Sequence, residues 1–147
     1  ISGAGADTFI GGTSDDTIFA GTGGSNMTGA GGDDRMVFVS ASLPAQTFTD
    51  FVSGEDTLLL YGIHAAGGFD LGAANNALDP LTPTLIDPSI FVSNATGSFT
   101  SADQRLAYNT TSGGLFYSAT GSNVGAKTIA ILTSTPSLTA TDILFER

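Results

Sequence analysis

Aspartate recurs at a fixed interval near the start of the chain, as Asp7, Asp16 and Asp34, and Ser25 stands where an interval of nine calls for another. Four residues before these positions stand Gly3, Gly12, Gly21 and Ala30, and two residues before them Gly5, Ser14, Gly23 and Gly32. Small residues admit tight turns that a Cβ would obstruct, and such turns leave carbonyl oxygens directed towards a common point. A carboxylate beside a ring of carbonyls is a set of hard oxygen donors. About six of these suit Ca²⁺, whereas Mg²⁺ resists giving up its waters for such a cage. Other chemistries lack their parts. There is no cysteine and His64 is the only histidine, so multi-histidine zinc sites are excluded and a histidine-bearing triad would need that one residue. Within Tyr61-Gly62-Ile63-His64-Ala65-Ala66 it has no acidic neighbour and reads as a turn or surface residue. No Walker, dinucleotide or EF-hand signature occurs. The pairs Asp15/Asp16 and Asp33/Asp34 are explained by the repeat, with Asp15 and Asp33 as solvated turn residues. The expectation is a non-catalytic module.

The elements that must position these oxygens follow from the same period. Written in nines, residues 2–37 read SGAGADTFI, GGTSDDTIF, AGTGGSNMT and GAGGDDRMV without a slip of register. The eighth position holds Phe9, Ile18, Met27 and Met36, one inward-pointing apolar side chain per unit. Stretches such as Thr8-Phe9-Ile10 and Thr17-Ile18-Phe19 suit very short strands. A chain that coils as turn, strand, turn, strand forms two parallel sheets with the eighth-position residues between them. Units one and three then stack, as do two and four, and their carboxylates would repel one another without a cation between the turns.

These units resemble the nonapeptide G-G-x-G-x-D-x-U-x of the RTX (repeat-in-toxin) family of secreted proteases, lipases, haemolysins and alginate epimerases. The resemblance implies a parallel β-roll with Ca²⁺ between alternate turns. Each ion would take the carbonyls of positions two and four and the acid of position six from one turn, and positions one, three and six from the turn two units later. Carried over, the best ring uses Gly12, Ser14 and Asp16 with Gly29, Gly31 and Asp34. A second uses Gly3, Gly5 and Asp7 with Ala20 and Thr22, and its sixth ligand falls on the neutral Ser25. The stretch Thr49 to Leu58 resembles a further element of the family, in which Asp50 and Asp56, with carbonyls of Ala30 and Gly32 and with Asp34, would bind a last ion.

Beyond Val37 the pattern changes to longer apolar strands at Met36 to Ser40, Gln46 to Val52, Thr57 to Tyr61, Ser89 to Ser93, Arg105 to Tyr108, Leu115 to Ser118, Lys127 to Leu132 and Asp142 to Phe145. Pro44, Pro80, Pro83, Pro88 and Pro136 punctuate the connections, and no helical period appears. The expected fold is all-β: a parallel β-roll of nonapeptide repeats over residues 1–37, capped by a mainly antiparallel β region over residues 38–147. Arg105 to Asn109 and Gly114 to Gly121 resemble a family hairpin, with Asn109, Ser118 and Thr120 where acids are usual, so a cation site there is expected to be lost. Leu138 to Phe145 resembles the closing segment of proteins exported by the type I ABC pathway.

With 14 Asp plus Glu against 4 Lys plus Arg the formal charge is −10. Residues 1–56 carry eight acids and one base, a balance of −7, so the charge is concentrated in the front part of the chain. Such a surface repels nucleic acid and anionic membranes and attracts cations. No apolar run approaches a membrane span. The expectation is a calcium-dependent folding and secretion module at the C-terminus of a larger extracellular or cell-surface bacterial protein, with calcium and the type I machinery as partners. The alternative is a polysaccharide-contacting accessory module, or an adhesin or surface-layer segment.

Overall fold

The computed structural model describes residues 5–62, 67–72 and 82–147. Gly3, His64 and Pro80 lie outside the described residues. Six short strands open the chain: β1 (Thr8–Gly12), β2 (Thr17–Phe19), β3 (Asn26–Ala30), β4 (Arg35–Phe38), β5 (Gln46–Phe48) and β6 (Thr57–Tyr61). They alternate between two sheets, with β1, β3 and β5 parallel neighbours in one and β2, β4 and β6 in the other. The register keeps like positions side by side: Phe9 lies beside Met27 and Ile18 beside Met36. Of the eighth-position residues, Ile18, Met27 and Met36 are fully buried, and Phe9 packs partly buried against the same core.

The alternation continues past residue 37. Met27 is followed by Phe48 and Met36 by Leu58, so both apolar columns gain a rung outside the nine-residue units. Phe38 and Phe48 meet edge-on between the sheets with ring centroids 5.9 Å apart, the arrangement favoured by the ring quadrupoles.

Six further strands complete the fold: β7 (Thr84–Leu85), β8 (Phe91–Asn94), β9 (Leu106–Asn109), β10 (Gly114–Tyr117), β11 (Lys127–Leu132) and β12 (Ile143–Glu146). The sheets run β1-β3-β5-β11-β10-β9-β8 and β2-β4-β6-β12-β7. Both are mixed, and among the described residues helix is limited to two 3-10 turns, Pro88–Ile90 and Ala140–Asp142. The region after residue 37 therefore departs from the mainly antiparallel cap expected. Among the described residues antiparallel pairing is confined to β9 with β10, β10 with β11 and β7 with β12, while β11, β12 and β8 lie parallel to β5, β6 and β9. The physical reason is visible in Thr57-Leu58-Leu59-Leu60-Tyr61, whose three leucines are all buried. A consecutive apolar run marks a strand flanked on both edges and covered on both faces, where parallel pairing is at home, whereas alternation marks a half-solvated antiparallel strand.

Asp142 fixes the entry of β12. Only 2% exposed, its carboxylate accepts from the Thr139 N–H at 2.7 Å, the Thr139 hydroxyl at 3.0 Å, the Ser53 hydroxyl at 2.8 Å and the Gly54 N–H at 2.9 Å. A buried carboxylate is tolerated when its lone pairs are used in this way. The last strand is thereby tied to the turn between β5 and β6.

Because Phe48 fills the centre of the shared core at 0% exposure, Phe48→Ala is expected to lower unfolding stability by about 3–5 kcal/mol. Ile10, 67% exposed, is expected to tolerate alanine within about 0.5 kcal/mol. Urea titration at fixed ionic composition checks both; equal midpoints for the two variants would show that the eighth-position column does not carry the core.

Candidate metal centre

The turns between strands stack so closely that side chains are excluded at defined points. A Cβ on Gly23 would strike the Gly5 carbonyl, and Gly32, at φ +110°, lies against the Ser14 and Asp15 backbone. Both contacts join turns two units apart, and both demand a residue without a side chain.

On this frame the sixth-position residues form two vertical columns, one on each flank of the coil. In the first, the Asp16 N–H donates to Asp34 Oδ1 at 2.9 Å across 18 residues, and the Asp34 N–H donates to Asp56 Oδ1 at 2.9 Å across 22. The second carboxylate oxygen of Asp56 accepts from the Val52 N–H at 2.8 Å. In the other column the Asp7 N–H donates to the Ser25 hydroxyl oxygen at 3.2 Å, and the Ser25 N–H to Gln46 Oε1 at 3.1 Å. Each turn thus offers a backbone donor to a side-chain oxygen of the next.

The structure links Asp16 to Asp34 and Asp34 to Asp56 through these N–H rungs, and Asp7 to Ser25 in the same way. The free oxygen of Asp34 is packed against Gly29, and Asp16 Oδ2 shares the space beside Gly11 with the Gly29 carbonyl. Gly12 differs in detail, since its carbonyl accepts from the Gly31 N–H at 2.8 Å; a carbonyl keeps a second lone pair for another partner. Asp50 makes no rung of the column. Its two oxygens accept from the Gly29 N–H at 3.0 Å and the Ala30 N–H at 2.7 Å, so it faces amide donors rather than carbonyls.

Electrostatics distinguish the Asp16 column. Asp34 is 3% exposed and Asp56 5%. Burial pushes the Asp34 carboxyl up, the Asp16 N–H draws it down, and the neighbouring charges of Asp56, Asp16 and Asp50 push it up again. Outside the column, Asp15, Asp16, Thr17, Asp33, Arg35, Glu55 and Thr57 line an open groove of about 400 Å³. Asp15 and Asp33 are exposed as expected, with Asp15 Oδ1 accepting from the Asp33 N–H at 2.9 Å. Among the described residues no three His, Cys, Asp or Glu side chains converge. A cation in the coil would therefore draw on backbone carbonyls.

Gln46 is the residue that sequence reasoning passed over. It lies 21 residues after Ser25 instead of 18, because residues 38–45 lengthen the turn and break the period. A signal was present: polar, then Thr, then apolar recurs in Asp7-Thr8-Phe9, Asp16-Thr17-Ile18, Gln46-Thr47-Phe48 and Asp56-Thr57-Leu58. No protein-family model, curated protein or solved structure matches the chain.

Asp34→Asn keeps an oxygen for the Asp16 N–H and removes a buried charge. In chelator D34N is expected to unfold at a higher urea concentration than the wild type, and to lose any response to calcium at this ring. The folded pKa of Asp34 lies above its ordinary value of 3.8, so between those values the folded chain binds more protons than the unfolded one. Metal-free stability then falls as pH rises through that window, with the loss complete above the folded pKa, and the gap between wild type and D34N should close as pH falls. Coincident urea midpoints at neutral pH would remove the stacked-charge account of Asp34.

Proposed function

We propose that the chain is a calcium-binding module of the RTX type, in which the first six strands act as a parallel β-roll and calcium offsets the charge stacked along one flank. The observation that carries this reading is the column Asp16, Asp34, Asp56, in which each N–H donates to the next carboxylate and Asp34 and Asp56 are buried. A folded chain gains nothing from stacking like charges beside one another in partial burial. A divalent cation held by the carboxylates and adjacent turn carbonyls converts the repulsion into attraction. The turn glycines, the parallel strand alternation and the surface charge of −10 support the same chemistry, and the ring of Gly12, Ser14, Asp16, Gly29, Gly31 and Asp34 remains the best candidate.

Function follows from linkage. An ion that binds only the folded coil stabilises it by mass action, by about 2.7 kcal/mol at a hundredfold excess over Kd. The module is thus loose where calcium is scarce and folded where it is abundant, which suits a chain that crosses an export channel unfolded and folds outside. The burial of Asp142, Ile143 and Phe145 fits this order, because export machinery that reads the stretch Leu138 to Phe145 must meet it before folding.

The full chain in chelator is expected to give a weaker β signal in circular dichroism and a lower urea midpoint than with Ca²⁺, and Mg²⁺ is expected to restore neither. A native spectrum indifferent to chelator overturns the folding switch. In cells carrying a type I transporter, Asp16→Asn is expected to leave the secreted amount unchanged and to raise the protease sensitivity of the secreted chain. Retention of D16N inside the cell, with its protease resistance unaltered, would separate the column from folding and argue against the proposal.

A further inference from the structure

The second column ends on a residue that can do what a cation would do. Gln46 is 0% exposed, and its side-chain amide is used on both ends. Oε1 accepts the Ser25 N–H at 3.1 Å. Nε2 donates to the carbonyls of Gly23 at 2.8 Å, Pro44 at 2.8 Å and, more weakly, Gly21 at 3.3 Å. The orientation of the amide is set by these partners, since the Ser25 N–H needs an acceptor and three carbonyls need a donor.

Gly21 and Gly23 are positions two and four of the third unit. They correspond to Gly12 and Ser14 of the second unit, whose carbonyls belong to the ring assigned to calcium. We infer that Gln46 is a built-in plug: its NH₂ group occupies the centre of the third-unit ring and satisfies the carbonyls that a calcium ion would otherwise bind, so this ring excludes the metal. This deepens the calcium reading and rests on it for the identity of the ion.

Three observations agree. An N–H···O contact of about 2.8–3.0 Å is only slightly longer than a Ca²⁺–O bond of about 2.3–2.6 Å, so one nitrogen can stand near the place of the ion. Because Gln46 is wholly buried, amide and ion cannot share the centre. The ring also lacks charge, with Ser25 and Gln46 in the places that Asp34 and Asp56 hold on the other flank, and Ca²⁺ affinity depends on the number of charged ligands. The coil therefore has one flank that answers to calcium and one whose last rung is closed without it. Gln46 is a specificity-determining residue: the identity of its terminal group, amide or carboxylate, decides whether the ring takes a metal.

Replacement by glutamate tests this. Gln46→Glu removes the three donated bonds and sets a carboxylate among carbonyls, an arrangement that is repulsive unless a cation enters. Calcium bound per chain, measured by equilibrium dialysis on the full chain, is expected to rise by one in Q46E, and in chelator Q46E is expected to unfold at lower urea than the wild type. If the wild type binds calcium and Q46E binds no more, the plug is overturned while the calcium reading stands. If Q46E alone binds an ion, the plug is upheld and the calcium reading of the Asp16 column falls. If neither binds, both fall. Carbonyl ¹³C shifts of the wild type keep the inference open to refutation should Q46E fail to fold. Among the signals of the folded chain, saturating calcium is expected to move the Gly12 and Gly29 carbonyls and leave Gly21 and Gly23 in place, and movement of the Gly21 and Gly23 signals as large as that of Gly12 would mean that the ring is open to metal.

Discussion

Every turn of the coil hands a backbone N–H to a side-chain oxygen of the turn after it, and the placement of all the other groups in the repeat depends on that rung. The donor comes from the sixth-position residue itself, and the acceptor is the sixth-position side chain one full circuit later. Asp16 with Asp34, Asp34 with Asp56, Asp7 with Ser25 and Ser25 with Gln46 all follow the rule. Buried amides need such partners, because an unsatisfied donor costs about 1–3 kcal/mol. The requirement is for an oxygen at a fixed place, which Asp, Ser and Gln meet with side chains of different length and charge. Register is thus set twice, by the polar rung and by the apolar column of Met27, Phe48, Met36 and Leu58 two residues further on.

The same backbone pattern carries opposite electrostatics on its two flanks. One flank stacks Asp16, Asp34 and Asp56 and borders a groove with Asp15, Asp33 and Glu55. The other dilutes its single described carboxylate, Asp7, with a hydroxyl and an amide. Carboxylate rungs raise the cost of folding without a counter-charge, and neutral rungs do not. The flanks therefore differ in kind: one stacks carboxylates, and the other joins a carboxylate, a hydroxyl and an amide.

Residues far apart in sequence make the coil and the later strands a single body. β11 and β12 extend the two sheets in parallel beside β5 and β6, and their Ile129, Leu132, Ile143 and Phe145 join the cluster that holds Ile18, Met27 and Met36. Asp142 adds a polar lock, joining β12 to Ser53 and Gly54 across 88 to 89 residues. The loop it grips is the one that Asp56 ties back to Asp34 through Val52 and the column. The Asp34 rung and β12 are thereby anchored to the same short turn.

The sequence alone determined the repeat and its consequences: the nine-residue interval, the inward eighth position, the pairing of units one with three and two with four, the exposure of Asp15 and Asp33, and the strands Thr57–Tyr61 and Lys127–Leu132 to the residue. In a periodic coil each residue's neighbour lies one circuit away, so local spacing carries the spatial information. Three things were decided only in the folded chain: the parallel placement of β11 and β12, the role of Gln46 as a sixth-position rung, and the use of Asp142 as a lock. Residues 38–45 interrupt the period, so spacing no longer tells which residue stands above Ser25. The partner of a buried apolar strand is set by which other surfaces remain to be covered once the coil has formed. That is a property of the assembled core, and no interval along the chain encodes it.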